Sequence, residues 1–242
     1  MTRLRTELQR LFDLPDGSLG PHQGRVRCLW IELARPADWA PLRTLWSALQ
    51  TELELPAPAI AVSGDGGLQL WLSLAQPVPA AEAAAFLDAL CSTHLPGRAE
   101  LKPGRLRCWP DAGGQLPPPA RVPAPVRTGE EPRWSAFVTP DLPAVFGGDA
   151  WLDLPPGDDT QADLLSRLTP IPPQAWAAAQ ARLQPRPVPA TVPAVSPPAS
   201  PAGPATTPVA FLRSVLNDPQ APLALRVEAA RALLAAGLGD TA

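Results

Sequence analysis

Two polar side chains stand inside otherwise apolar runs: Glu32 in CLWIEL (28–33) and Gln69 in LQLWLSL (68–74). A carboxylate can bind a cation or take a proton. A carboxamide can donate to an anion, yet it carries no charge and cannot shuttle protons. The turn ahead of Gln69, SGDGG (63–67), adds Asp65, for which a turn-forming role is the ordinary expectation. That turn opens a strand, whereas a phosphate-binding loop needs GxxxxGK[ST] opening a helix. Cys28, Cys91 and Cys108 form no CxxC pair, and the only histidines are His22 and His94. A zinc finger, which needs about four clustered ligands, is therefore excluded. No Ser-His-Asp or Cys-His arrangement is present, and both histidines are expected at the surface, His22 in a loop and His94 past a helix end.

The elements that position these residues follow from periodicity. RVRCLWIEL (25–33), PAIAVSG (58–64) and LQLWLSLAQ (68–76) read as strands, the last two joined as a hairpin by the glycine turn. ADWAPLRTLWSALQTEL (37–53) places Leu42, Leu45, Trp46 and Leu49 on one helical stripe, and PAAEAAAFLDALCSTHL (79–95) is an alanine-rich helix. RAELKPGRLRCWP (98–110) supplies a further strand. The order is βαββαβ, which predicts an α+β fold with an RRM-like, split-βαβ sheet and helices on one face. A proline- and glycine-rich irregular segment, 111–157, extends it with one firm strand, RWSAFV (133–138), and helix returns over 160–183.

Alternation sorts each strand into faces. Leu29, Ile31, Leu33, Ile60, Val62, Leu68, Leu70, Leu72 and Leu74 are assigned to the helix-covered core. The other face collects Trp30, Glu32, Ser63, Gln69 and Trp71, with Arg105, Arg107 and Trp109 beside them. Two uses of that face stay open. The tryptophans either support the 111–157 segment folded across the sheet, with Glu32 paired to an arginine, or they stack the bases of a nucleic acid.

Bulk composition narrows the classes. The chain has 242 residues, 45% hydrophobic and 18% charged, with a formal net charge of −3. A nucleic-acid-coating protein is normally basic, so this balance opposes strong nonspecific binding. Proline, at 35 residues, far exceeds the usual ~5%. The first residues, MTRLRTELQRLF, form an amphipathic helix, and no apolar run reaches the ~20 residues of a membrane span. The odd thiol count and the lack of a secretory leader predict a cytoplasmic protein that makes no membrane contact.

The body ends at residue 183. QPRPVPATVPAVSPPASPAGPATT (184–207) reads as an extended linker, and 208–242 as a C-terminal helical hairpin. Its first helix carries Phe211, Leu212, Val215 and Leu216 on one face, its second Leu223, Val227, Ala230 and Leu234. Two helices this short bury little, so 208–236 is expected to dock on the body or on a protein partner.

SGDGGLQLW resembles the SGxxGxHxW signature of the archaeo-eukaryotic primases and primase-polymerases. Ser63, Gly64, Gly67, Leu70 and Trp71 fit, and Gln69 falls on the histidine. PPPARVPAPVRTGEEPRWSAFV (117–138) is similar to that family's proline-rich stretch, with Thr128 and Gly129 as its "TG" turn, and the resemblance spans about residues 20–165. It implies two or three carboxylates holding two divalent metals for nucleotidyl transfer, a cluster that one carboxylate cannot replace. Here Glu32 has no acidic partner on its strand face, since Trp30 and Ala34 flank it two positions away. Asp111 stands near the third acidic position, and Pro125 near a second histidine. The expectation is a degenerate, noncatalytic primase-like module with no metal or other cofactor, binding single-stranded nucleic acid or a partner from DNA replication or a mobile element. The alternatives are an active enzyme using Mg²⁺ or Mn²⁺ on Glu32, Asp65 and Asp111, and a purely structural interaction protein.

The linker reading has a direct check. Limited digestion with a broad-specificity protease should cut first within 186–206, because proline restricts the chain and removes the donors that regular structure needs. Cuts inside the body while this segment stays intact would overturn the boundary.

Overall fold

Helix α1 (Arg3–Leu11) begins at Thr2, whose hydroxyl accepts the Arg5 N–H. Strand β1 (Arg25–Leu33) follows, then α2 (Trp39–Thr51), started by Asp38 accepting the Ala40 N–H at 3.0 Å. Next come β2 (Ala59–Val62), β3 (Leu68–Pro79), α3 (Ala80–His94) and β4 (Leu106–Trp109). Strands β5 (Ala124–Arg127) and β6 (Arg133–Val138) and helices α4 (Asp158–Ser166) and α5 (Pro173–Leu183) complete the first unit, Met1–Arg186. Helices α6 (Pro208–Asn217) and α7 (Leu223–Ala235) belong to the second, Pro187–Ala242. The computed structural model describes residues 2–127, 131–146, 150–183, 208–218 and 223–235, so the expected linker at 184–207 lies outside the described residues.

The fold is α+β, with six antiparallel strands in the order β4-β1-β3-β2-β6-β5. The register sorts the faces. Ile31 pairs with Leu70 and Cys108, and Leu70 with Ile60, all on the face covered by α2 and α3. Glu32 pairs with Gln69 and Arg107, Gln69 with Ala61, and Ala61 with Phe137 on the other face.

The sequence places helices on one side only and leaves the second face to be covered by 111–157 or to meet a ligand. Around Trp71 it is covered, chiefly by the first helix. Phe12, just past α1, meets Trp71 edge-on at 5.4 Å between centroids and stacks on Phe137 at 5.9 Å. The Ser73 hydroxyl donates to the Leu11 carbonyl, and α4 packs on α1 and β6. The physical reason lies in the amphipathic first helix: its apolar side needs a surface, and the tryptophan face supplies one. Strand β5 also escaped prediction, because it has only four residues and contains Pro125. It lies at the sheet edge, where a missing donor is tolerated.

Polar side chains fasten this cover. Arg27 on β1 donates to the Leu74 carbonyl at 2.9 Å and to the Arg10 and Asp13 carbonyls at 2.6 and 3.1 Å, closing the C-terminal end of α1. Arg10 in turn donates to the Leu165 and Leu168 carbonyls at the end of α4. The Gln161 side chain accepts the Phe137 N–H at 2.8 Å and donates to its carbonyl at 2.9 Å, standing in for a neighbouring strand beside β6.

In the second unit, Ala229 and Leu233 turn inward whereas Val227 is 45% exposed, so the inward stripe of α7 is rotated from the one expected through Val227 and Ala230. Among the described residues no helix is long and apolar enough to cross a membrane.

Arg27→Met should weaken the first unit by about 2–4 kcal/mol, since the helix-end carbonyls lose a charged donor and are left without a partner. Urea unfolding measures the loss, and an unchanged midpoint would refute the capping role.

Candidate functional site

Ser63 organises the turn that delivers Gln69. Its N–H donates to the Gly67 carbonyl at 2.8 Å, and its hydroxyl oxygen accepts the Gly67 and Asp65 N–H groups at 2.8 and 3.1 Å. Gly64 adopts φ +78°, and a Cβ there would lie 2.5 Å from Val126 and 2.9 Å from the Ser135 nitrogen. Gly67 is constrained by the site itself, because a Cβ would stand 2.5 Å from the Glu32 Oε1 atom. The glycine therefore makes room for the carboxylate one strand away.

Glu32 and Gln69 are directly opposed in the β1–β3 register and are 5% and 7% exposed. The Gln69 Oε1 atom accepts the Trp71 indole N–H at 2.9 Å, and the Gln69 and Ser63 side chains lie beside the Glu32 carboxyl, where their polar groups favour its charged form. The Arg107 guanidinium lies 3.5 Å from the Glu32 carboxylate but is about half exposed. Burial raises the Glu32 pKa above the ordinary glutamate value, and the nearby Asp65 charge adds to the rise. Arg107, Gln69 and Ser63 oppose it without cancelling it, because a solvent-screened guanidinium at this range is a weak counter-ion.

The remaining candidates separate. Trp30, Trp71 and Trp109 share the face with Glu32 but are 7%, 2% and 3% exposed, so no base can stack on them; they have the packing role. The indole N–H of Trp30 is buried without a partner. Arg105 lies just before β4 and donates to the Ala34 and Pro36 carbonyls, holding the chain after β1 rather than joining the face. Asp111 is occupied in a turn: its carboxylate oxygens accept the Gln115 and Leu116 N–H groups at 3.1 and 3.0 Å, which pull its pKa down. Of the residues assigned to that face, Arg107 is the most exposed. Thr128 and Gly129 lie outside the described residues. His94 is not a surface residue: its side chain is 10% exposed and its Nε2 is buried without a partner. His22 is exposed as expected, 3.1 Å from Asp16.

Among the described residues, no group of three or more His, Cys, Asp and Glu side chains could hold a metal ion. Glu32 can accept hydrogen bonds, pair with a cation or carry a proton, and Gln69 stands opposite it on β3. Sequence reasoning missed what braces the turn from outside. The Gly64 N–H donates to the Ala150 carbonyl at 3.1 Å, and the Trp151 ring lies under the Arg133 guanidinium at 3.8 Å. Trp151 sits in an irregular segment with no periodicity to assign its face. No protein-family model, curated protein or solved structure matches this chain.

The raised Glu32 pKa fixes the sign of a pH effect. The folded chain holds this proton more tightly than the unfolded chain, so stability falls as pH rises from the ordinary glutamate range through the raised folded value. Glu32→Gln removes that titration. As pH rises above the ordinary glutamate value of about 4.3, its urea midpoint should therefore gain on the parent protein. Parallel midpoint curves would contradict the shift.

Proposed function

We propose that this chain is a noncatalytic primase-like module whose sheet keeps the framework of a nucleotidyl-transfer site and whose contacts are made with a partner. The chain order βαββαβ with neighbouring strands β4-β1-β3-β2 supports reading the core of the sheet as RRM-like. The observation that carries the functional reading is the setting of Glu32. Where the resembled signature implies a histidine beside metal-binding carboxylates, Gln69 accepts from Trp71 and lies opposite Glu32, and the Arg107 guanidinium stands 3.5 Å from the carboxylate. Asp111, the candidate third carboxylate, is held by backbone donors. Two adjacent divalent metals need several carboxylates converging on them.

Protein contact is favoured over base stacking, because the three sheet tryptophans are interior and the net charge is −3. The α6–α7 pair suits a partner helix: an apolar groove of about 460 Å³ runs along Leu212, Val215, Leu225 and Ala229. A cytoplasmic setting and a partner from DNA replication or a mobile element belong to the same proposal.

The test is labelled-nucleotide incorporation on a single-stranded template with Mg²⁺ or Mn²⁺, alongside single-stranded DNA binding at two salt concentrations. No incorporation and no salt-sensitive binding are expected. Incorporation abolished by Glu32→Ala would establish the enzyme reading built on Glu32, Asp65 and Asp111. Strong salt-sensitive binding without incorporation would make nucleic acid the ligand instead.

A further inference from the structure

Two thiols on the helix-covered side of the sheet touch each other. Cys91 lies in α3 and is fully buried, and Cys108 lies on edge strand β4 and is half-buried. Their Sγ atoms are 3.8 Å apart, sulfur-to-sulfur contact with no room for an atom between them. We propose that Cys91 and Cys108 are a redox-active pair that closes to a reversible disulfide, stapling edge strand β4 to helix α3.

The surroundings give the two sulfurs different roles. The two sulfurs share one S–H···S contact in which either can donate; burial disfavours the thiolate at both, and the positive Arg98 favours it at both. Arg98 lies in the turn between α3 and β4 and is fixed by the Asp88 carboxylate and carbonyl and the Ser92 hydroxyl. Asp88 opposes the thiolate more weakly than Arg98 favours it. Cys108, half-buried where Cys91 is fully buried, is the sulfur that an oxidant reaches, and so the attacking thiolate, with Cys91 the resolving thiol.

With hydrogen peroxide as the two-electron oxidant, the Cys108 thiolate attacks one peroxide oxygen. The O–O bond breaks, and hydroxide leaves with Cys108 as a sulfenic acid. The Cys91 sulfur then attacks the Cys108 sulfur, the S–O bond breaks, and water departs with the Cys91 proton. Two thiols and one peroxide give one disulfide and two waters. Closing the sulfurs from 3.8 Å to a bond of about 2.05 Å requires them to approach by side-chain rotation and a small shift of the edge strand, which has a neighbour on one side only. Arg107 and Trp109 flank Cys108 and point to the Glu32 face, so the staple would fix the strand that supplies the Glu32 counter-ion. The inference does not rest on the primase-like reading.

The test uses the full chain, titrated with hydrogen peroxide and then denatured for thiol counting and peptide mapping. The reduced protein has three free thiols, and oxidation should remove two of them. The oxidised monomer should be lighter by two hydrogen atoms and yield a peptide cross-linked through Cys91 and Cys108. A dithiol reductant should restore all three thiols, and Cys28→Ser should leave cross-linking intact. Three remaining thiols, a cross-link through Cys28, a disulfide between two chains, or Cys108 over-oxidised without a cross-link would each overturn the proposal.

Discussion

Strand β3 is buried on both faces from Leu68 to Leu74, and every polar group it carries there must find a partner inside the protein. Gln69 and Ser73 are its polar side chains in that run. Ser73 reaches the Leu11 carbonyl, which ties the end of α1 to the sheet. Gln69 accepts the Trp71 indole N–H and stands opposite Glu32 on the neighbouring strand. An apolar residue there would leave the Trp71 donor short of a partner.

Closing the second face creates a further demand, because helix ends brought against a sheet leave carbonyls without intrahelical partners. Arginine meets it at both helices of that cover, Arg27 at α1 and Arg10 at α4, and on the first face Arg182 does the same at α2, where its guanidinium donates to the Glu52 carbonyl at 2.8 Å. One planar fork reaches several carbonyls at once, which a lysine ammonium does less well. The arginine-rich, lysine-poor composition is therefore compatible with a molecule whose helices are joined by side-chain capping.

Burial governs the site as well. A carboxylate facing water would be solvated and its pKa ordinary. Beside the 63–67 turn and opposite Gln69, Glu32 is desolvated and its proton is held more tightly, while Arg107 makes a loose contact with the carboxylate. The arrangement holds one carboxyl group in place, and Gly67 leaves it room, since a Cβ there would lie 2.5 Å from the Glu32 Oε1 atom.

Much of this was legible in the chain. The alternation of Leu68, Leu70 and Leu72, the glycine turn, and the grouping of Trp30, Glu32, Gln69, Trp71, Arg107 and Trp109 on one face all follow from a period of two, because strand geometry leaves side chains no third direction. The four-residue, proline-containing β5 gave too short a signal, and the rotated face of α7 shows that a stripe of small alanines leaves the inward side ambiguous. Periodicity tells which residues share a face but not what lies across it. Whether that face met water, a ligand or Phe12 depended on contacts between segments far apart in sequence: α1 crossing the sheet, Gln161 beside Phe137, and the Cys91 and Cys108 sulfurs meeting between helix and edge strand. By itself the sequence determined the elements and their faces, since these are local consequences of backbone geometry. Only the tertiary structure decided that Glu32 is enclosed and braced, because desolvation and hydrogen-bond satisfaction are set by what the rest of the chain brings against it.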